Sequence, residues 1–184
     1  MTKEEISLFR NSLLEEAVIR SEATSDLSYV SFVQVFTEYL ADAGILSDFT
    51  YAHYKRPFKA GRKNARVDGY FENLFEESVS LIISDYGGGD ELETLTKTEA
   101  LQNFGECIAF AEASFDGTLR KEIDKSDPAY DLATLLYLNR NKIRRLKLFL
   151  ISDKIRSERA KNIVHENIGD ISVVLHGRTS DRLC

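Results

Sequence analysis

From Val79 to Ile83 the chain reads Val-Ser-Leu-Ile-Ile, apolar on both faces of an extended strand. A strand of that kind must be covered on each side, which places it at the centre of a sheet with helices on both faces. The segments around it supply the remaining parts. Ile6, Phe9, Leu13, Ala17 and Val18 recur at three-to-four spacing, with Lys3, Arg10, Glu15 and Glu16 on the opposite side, so a first amphipathic helix is predicted. Asp26 or Ser28 caps a second, with a buried stripe of Phe32, Val33, Phe36, Leu40 and Ala43 and a stop at Gly44.

The period then changes. Phe49, Tyr51 and His53 alternate with smaller or polar residues, a basic turn surrounds Pro57 and Gly61, and further strands are predicted over 65–72 and 78–86. Short connections make these three an antiparallel meander. Gly87-Gly88-Gly89 breaks the chain before a long helix whose stripe is Leu101, Phe104, Ile108, Ala111 and Phe115. No Gly-Lys-Ser/Thr follows the glycines, and Asp90, Glu91 and Glu93 would repel phosphate there, so a phosphate loop is rejected. Asp127-Pro128 reads as an N-cap and first helical position, opening a helix that ends among Lys142, Arg144, Arg145 and Lys147. Strands follow over 146–152 and 171–175.

The predicted class is therefore α/β: a mixed sheet with an antiparallel three-strand meander, flanked by helices. Helix, three strands, helix, strand is also the core order of the PD-(D/E)xK nuclease fold, which this chain resembles in topology.

Composition sets outer bounds. Apolar residues make up 43% and charged residues 29% of the 184, as in a water-soluble globular domain. The longest purely apolar run is too short for a membrane span, and the opening Met-Thr-Lys-Glu-Glu lacks the apolar stretch of a signal peptide. Cys107 and Cys184 show neither metal-ligand spacing nor a disulfide framework. A cytoplasmic location without membrane contact is expected.

Two carboxylates stand out. Asp68 and Asp85 fall on adjacent predicted strands, seventeen positions apart, where a PD-(D/E)xK nuclease carries its metal ligands. Paired acids attract Mg2+, which polarises a phosphate and activates water. Glu38, on the preceding helix, is the candidate third ligand. The usual lysine two residues after the second acid is missing, because the sequence runs Asp85-Tyr86-Gly87. Lys97 is the candidate replacement. The competing reading makes Asp68 a turn residue and Asp85 a strand end bonded to amides of the glycine run.

Ser84-Asp85 and Ser152-Asp153 end two similar strands, and both pairs share one sheet edge if those strands run parallel. His53, His165 and His176 are isolated in sequence, and no Gly-x-Ser-x-Gly elbow is present.

Charge is unevenly placed. Lys55, Arg56, Lys59, Arg62, Lys63 and Arg66 put six cations in twelve residues with no acid, on a chain of net charge −6. Such a hairpin can recruit nucleic acid locally, or it is simply a solvated loop.

Arg66-Val67-Asp68-Gly69-Tyr70, Ser80-Leu81-Ile82-Ile83-Ser84-Asp85-Tyr86, Asp127-Pro128-Ala129-Tyr130-Asp131-Leu132, Leu148-Phe149-Leu150-Ile151-Ser152-Asp153 and Asp181-Arg182-Leu183 occur in the order shown by the abortive infection phage resistance (AIPR) family. Over about residues 30 to 183 the chain resembles the N-terminal region of that family, whose members are longer. The resemblance implies a single N-terminal domain over 1–184, cut from a larger protein, with a role in bacterial defence against phage. It leaves two functional expectations. One is a nucleic-acid-binding or Mg2+-dependent nuclease domain. The other is a non-catalytic module that docks a phage or host protein, or that self-associates through the acidic face of its first helix, and positions a downstream effector.

Overall fold

A computed structural model of the chain describes residues 2–46, 48–56, 64–160 and 163–179. Two helices come first, α1 (Lys3–Thr24) and α2 (Ser28–Asp42), and then three strands, β1 (Thr50–Arg56), β2 (Ala65–Asn73) and β3 (Ser78–Asp85). A short strand β4 (Thr94–Leu95) precedes helices α3 (Lys97–Phe115), α4 (Thr118–Glu122) and α5 (Tyr130–Asn139). Strands β5 (Arg145–Ser152), β6 (Ile155–Arg156) and β7 (Ser172–Thr179) complete the order.

Five strands form one mixed sheet in the order β1-β2-β3-β5-β7. β1, β2 and β3 are the antiparallel meander, while β3, β5 and β7 run parallel. β3 is central and almost fully buried, as a strand with apolar residues on both faces requires. Its alternate side chains feed two cores. Ile82 joins Phe71, Phe149 and Ile151 beneath α1 and α2, with Phe32, Phe36 and Leu13. Leu81 and Ile83 join Val67, Val79, Leu148 and Leu150 beneath α3, α4 and α5. Burying one such side chain stabilises the fold by roughly 1.5–3 kcal/mol, so the two cores lock the sheet between its helical layers.

Local signals fix the helix ends. Thr2 and Glu5 form a capping box at the start of α1, and Thr96 and Glu99 form another at the start of α3.

Several sequence expectations are corrected. Arg10, assigned to the outer side of α1, is buried at 2% exposure, whereas Val18 from the apolar stripe is 42% exposed. Neither Asp26 nor Ser28 caps α2, whose N-cap is Leu27. Asp127 does not cap α5 directly: its Oδ1 accepts from Ala129 N and its carbonyl from Tyr130 N, making a turn just before the helix. The cations placed at the end of α5 lie beyond it, with Arg145 and Lys147 already in β5. Asp90, Glu91 and Glu93 precede α3. Sequence reading missed α4 and the small parallel pair β4-β6.

Candidate functional site

Because β3 and β5 are parallel and β2 is antiparallel to β3, the start of β2 and the ends of β3 and β5 meet at one edge of the sheet. Asp85 pairs in register with Ser152, so the two Ser-Asp endings do share that edge. The β2-β3 ladder stops at Gly69 and Ile82. One step beyond, Asp68 takes over. Its Oδ2 accepts from Ser84 N at 2.6 Å and from Ser84 Oγ at 2.8 Å, closing with a side chain the gap that the strands leave.

Asp68 is 0% exposed, and both of its oxygens are engaged. Arg66 Nη2 donates to Asp68 Oδ2 and to Ser84 Oγ, each at 3.0 Å. His53 Nδ1 lies 2.8 Å from Asp68 Oδ1. Burial pushes the Asp68 carboxyl up, but the His53 hydrogen bond, the Arg66 charge and the Ser84 donors outweigh it and hold the group below the ordinary carboxylate value. Gly69 is obligatory beside it, since a Cβ there would overlap the Phe49 ring.

Asp85 faces different partners. Lys154 Nζ stands 3.2 Å from its Oδ2, in ion-pair range but not aligned as a hydrogen bond, and that oxygen has no hydrogen-bond partner among the described residues. Lys154 also reaches Glu99 at 3.2 Å and Glu93 at 3.5 Å. Burial raises the Asp85 carboxyl above its ordinary value, and the attraction of Lys154 only partly offsets this. The environments of the two acids thus push their pKa values apart.

A third acid completes the edge. Asp153, fully buried, accepts from Gly87 N at 2.8 Å and Gly88 N at 3.1 Å, and Arg10 reaches across from α1 to its Oδ2 at 3.0 Å. Gly88 adopts φ +63°, which suits glycine. Asp153, not Asp85, is therefore the acid that ties down the glycine run.

A cleft of about 340 Å³ opens over this edge, lined by Tyr29, His53, Lys55, Arg66, Ser84, Asp85 and Tyr86. Arg66 Nη1 has no hydrogen-bond partner among the described residues and is available to the cleft. Arg56 turns away, pairing with Asp127 at 3.3 Å and lying over the Tyr54 ring. Lys59, Arg62 and Lys63 lie outside the described residues.

The other predicted site residues do not join the cluster. Both oxygens of Glu38 accept from Arg20, at 2.6 and 2.8 Å, and this pairing lowers its carboxyl pKa. Lys97 is exposed at the first turn of α3. A Mg2+ shared by Asp68 and Asp85 does not fit these donors: Asp68 is buried and already held by Arg66, His53 and Ser84, and Asp85 faces an ammonium. Among the described residues no group of three His, Cys, Asp or Glu side chains is arranged to hold a metal ion.

Sequence reasoning missed two residues. His53 looked isolated because its partner is on the neighbouring strand. Lys154 was overlooked although it follows Ser152-Asp153, whose likeness to Ser84-Asp85 was a usable signal.

A family model described as the abortive infection phage resistance protein N-terminal domain matches residues 32–183. The chain belongs to this family. The match takes in β1 to β7 and hence the whole site edge of the AIPR N-terminal domain apart from Arg10 and Tyr29. No curated protein and no solved structure matches the chain. No described helix is long and apolar enough to cross a membrane.

Proposed function

We propose that this AIPR N-terminal domain serves phage defence by engaging nucleic acid in the cleft over the β2/β3 edge. The observation that carries the reading is the anchored Arg66: Asp68 and Ser84 fix one nitrogen, while Nη1 is left for a ligand in a cleft that also holds Lys55 and His53. A pre-oriented guanidinium suits phosphate, because little side-chain freedom is lost on binding. Tyr29 and Tyr86 line the same cleft, and aromatic side chains are a common platform for bases. Lys59, Arg62 and Lys63 follow Lys55 in sequence and add three further cations to the stretch.

Binding of labelled single- and double-stranded oligonucleotides over a salt series tests this. Changing Lys59, Arg62 and Lys63 together to alanine weakens binding about equally across sequences and flattens the salt slope by about 2 to 3. Unchanged binding reduces the hairpin to a solvated loop. Absent binding to any nucleic acid removes the reading and favours a protein-docking module.

A second reading, Mg2+-dependent cleavage on a PD-(D/E)xK-like core, has two observations in its favour. The meander followed by a parallel fourth strand has that core's order, and the Asp85 oxygen without a hydrogen-bond partner sits beside Lys154, a more suitable lysine than Lys97. It requires the present cations to move aside. Under the leading reading Mg2+ leaves the melting temperature unchanged. A Mg2+-dependent rise that Asp85→Asn removes would reverse the order of the two.

A further inference from the structure

The cleft contains a second arrangement that phosphate binding alone does not use. Tyr51 pairs with Gly69 and Tyr54 with Val67, so a bulge in β1 sets Ala52 and His53 against the single residue Asp68. Bulges recur beside reactive sites because they re-aim a side chain. Here the bulged strand delivers His53 onto a fully buried carboxylate at 2.8 Å. Tyr51 stacks on the imidazole with centroids 6.3 Å apart, and Tyr29 lies against it at 5.3 Å. The ring is fixed from three directions.

A carboxylate only accepts hydrogen bonds, so His53 Nδ1 carries the hydrogen and Nε2 of the neutral ring keeps its lone pair. Nε2 has no hydrogen-bond partner among the described residues, and His53 lines the cleft beside Arg66 and Lys55. A general base on a carboxylate-oriented imidazole, with two cations beside it, is a complete set for moving a phosphoryl group without a metal.

We propose that His53 is the general base of a metal-independent transesterification of RNA bound in this cleft. The inference rests on the nucleic-acid reading above and names the substrate as single-stranded RNA, because the nucleophile is the ribose 2′-hydroxyl. His53 Nε2 takes the 2′-hydroxyl proton as the 2′-oxygen attacks the adjacent phosphorus. The 2′-O–P bond forms and the P–O5′ bond breaks. Arg66 Nη1 faces the charge that grows on the phosphoryl oxygens. The departing 5′-oxygen takes a proton from the Lys55 ammonium, and solvent then restores both side chains. The products are a 2′,3′-cyclic phosphate and a 5′-hydroxyl. The attack is intramolecular, so orientation supplies much of the acceleration that an activated water would otherwise require.

The test uses the full chain, a 5′-labelled RNA oligonucleotide and its 2′-O-methyl counterpart, all in EDTA. The expected result is binding of both, cleavage of the RNA alone, and cyclic phosphate at the new 3′ ends. His53→Gln lowers the cleavage rate at least about 100-fold, the low end of the range for a lost general base. The variant still binds the 2′-O-methyl strand, so the fall in rate is read on bound RNA. RNA that is bound but uncut, or cut equally by His53→Gln, overturns this inference and leaves the binding reading intact. Failure to bind either RNA strand overturns this inference, and the nucleic-acid reading falls with it only when DNA oligonucleotides are not bound either.

Discussion

Asp68 shows how one side chain can join backbone structure to a site. It completes the ladder where β2 and β3 part, orients Arg66 and His53, and does so with no exposed surface. Asp68→Asn keeps the shape but removes the charge that answers Arg66, His53 and the two Ser84 donors. We expect a loss of about 3 kcal/mol in urea unfolding, the scale seen when one partner of a buried pair is removed. The pH dependence has a definite sign. Its folded-state pKa is depressed, so this stabilisation is fully present above the unfolded value of about 3.9 and is lost as pH falls through the lower folded value. The Asn variant should therefore show a shallower acid limb, and an unchanged limb would mean that Asp68 is not ionised in the fold. Gly69→Ala tests the neighbouring constraint: the added methyl meets Phe49, and a loss of about 1–3 kcal/mol is expected by thermal unfolding.

At the scale of elements, α1 is more than an external addition. It precedes the family match, yet Arg10 crosses to the loops just past β5 and β3, donating to the Asp153 carbonyl at 3.0 Å, to its carboxylate, and to the Gly89 carbonyl at 2.6 Å. Arg10→Ala leaves Asp153 buried with its arginine gone, and about 3 kcal/mol of stability should go with it. A loss below about 1 kcal/mol in chemical denaturation would show that the glycine amides suffice. The first helix was legible as a helix from its apolar spacing, and the Thr2/Glu5 capping box agrees. Its buried cation was not, because periodicity assigns every charge to the solvent side. Likewise the meander and the central place of β3 were readable from strand periods and turn residues. The bulge that aims His53 was not readable, since it depends on how β1 pairs with β2.

For the whole molecule, the order of parallel and antiparallel pairs decides where chemistry gathers. Parallel β3 and β5 bring two Ser-Asp endings together, and the antiparallel β2 returns Asp68 to the same edge. The expectation of Asp68 and Asp85 on adjacent strands follows from the sequence. That each acid has its own cation follows from packing alone: Arg66 comes from two residues before Asp68, whereas Lys154 arrives from the bend between β5 and β6, 69 positions after Asp85. Mg2+ titration monitored by melting temperature, with nucleic-acid binding across a salt series, probes this division at the same scale. A ligand at 100 times its dissociation constant adds about 2.7 kcal/mol, well within detection.

Local periodicity and turn chemistry were enough to set the α/β class, the covered central strand and the short-range basic stretch, because each reflects interactions between near neighbours in the chain. The partners of Asp68, Asp85 and Asp153 were settled only in three dimensions. A buried carboxylate needs donors whatever their distance in sequence, and long-range packing determines which side chains arrive.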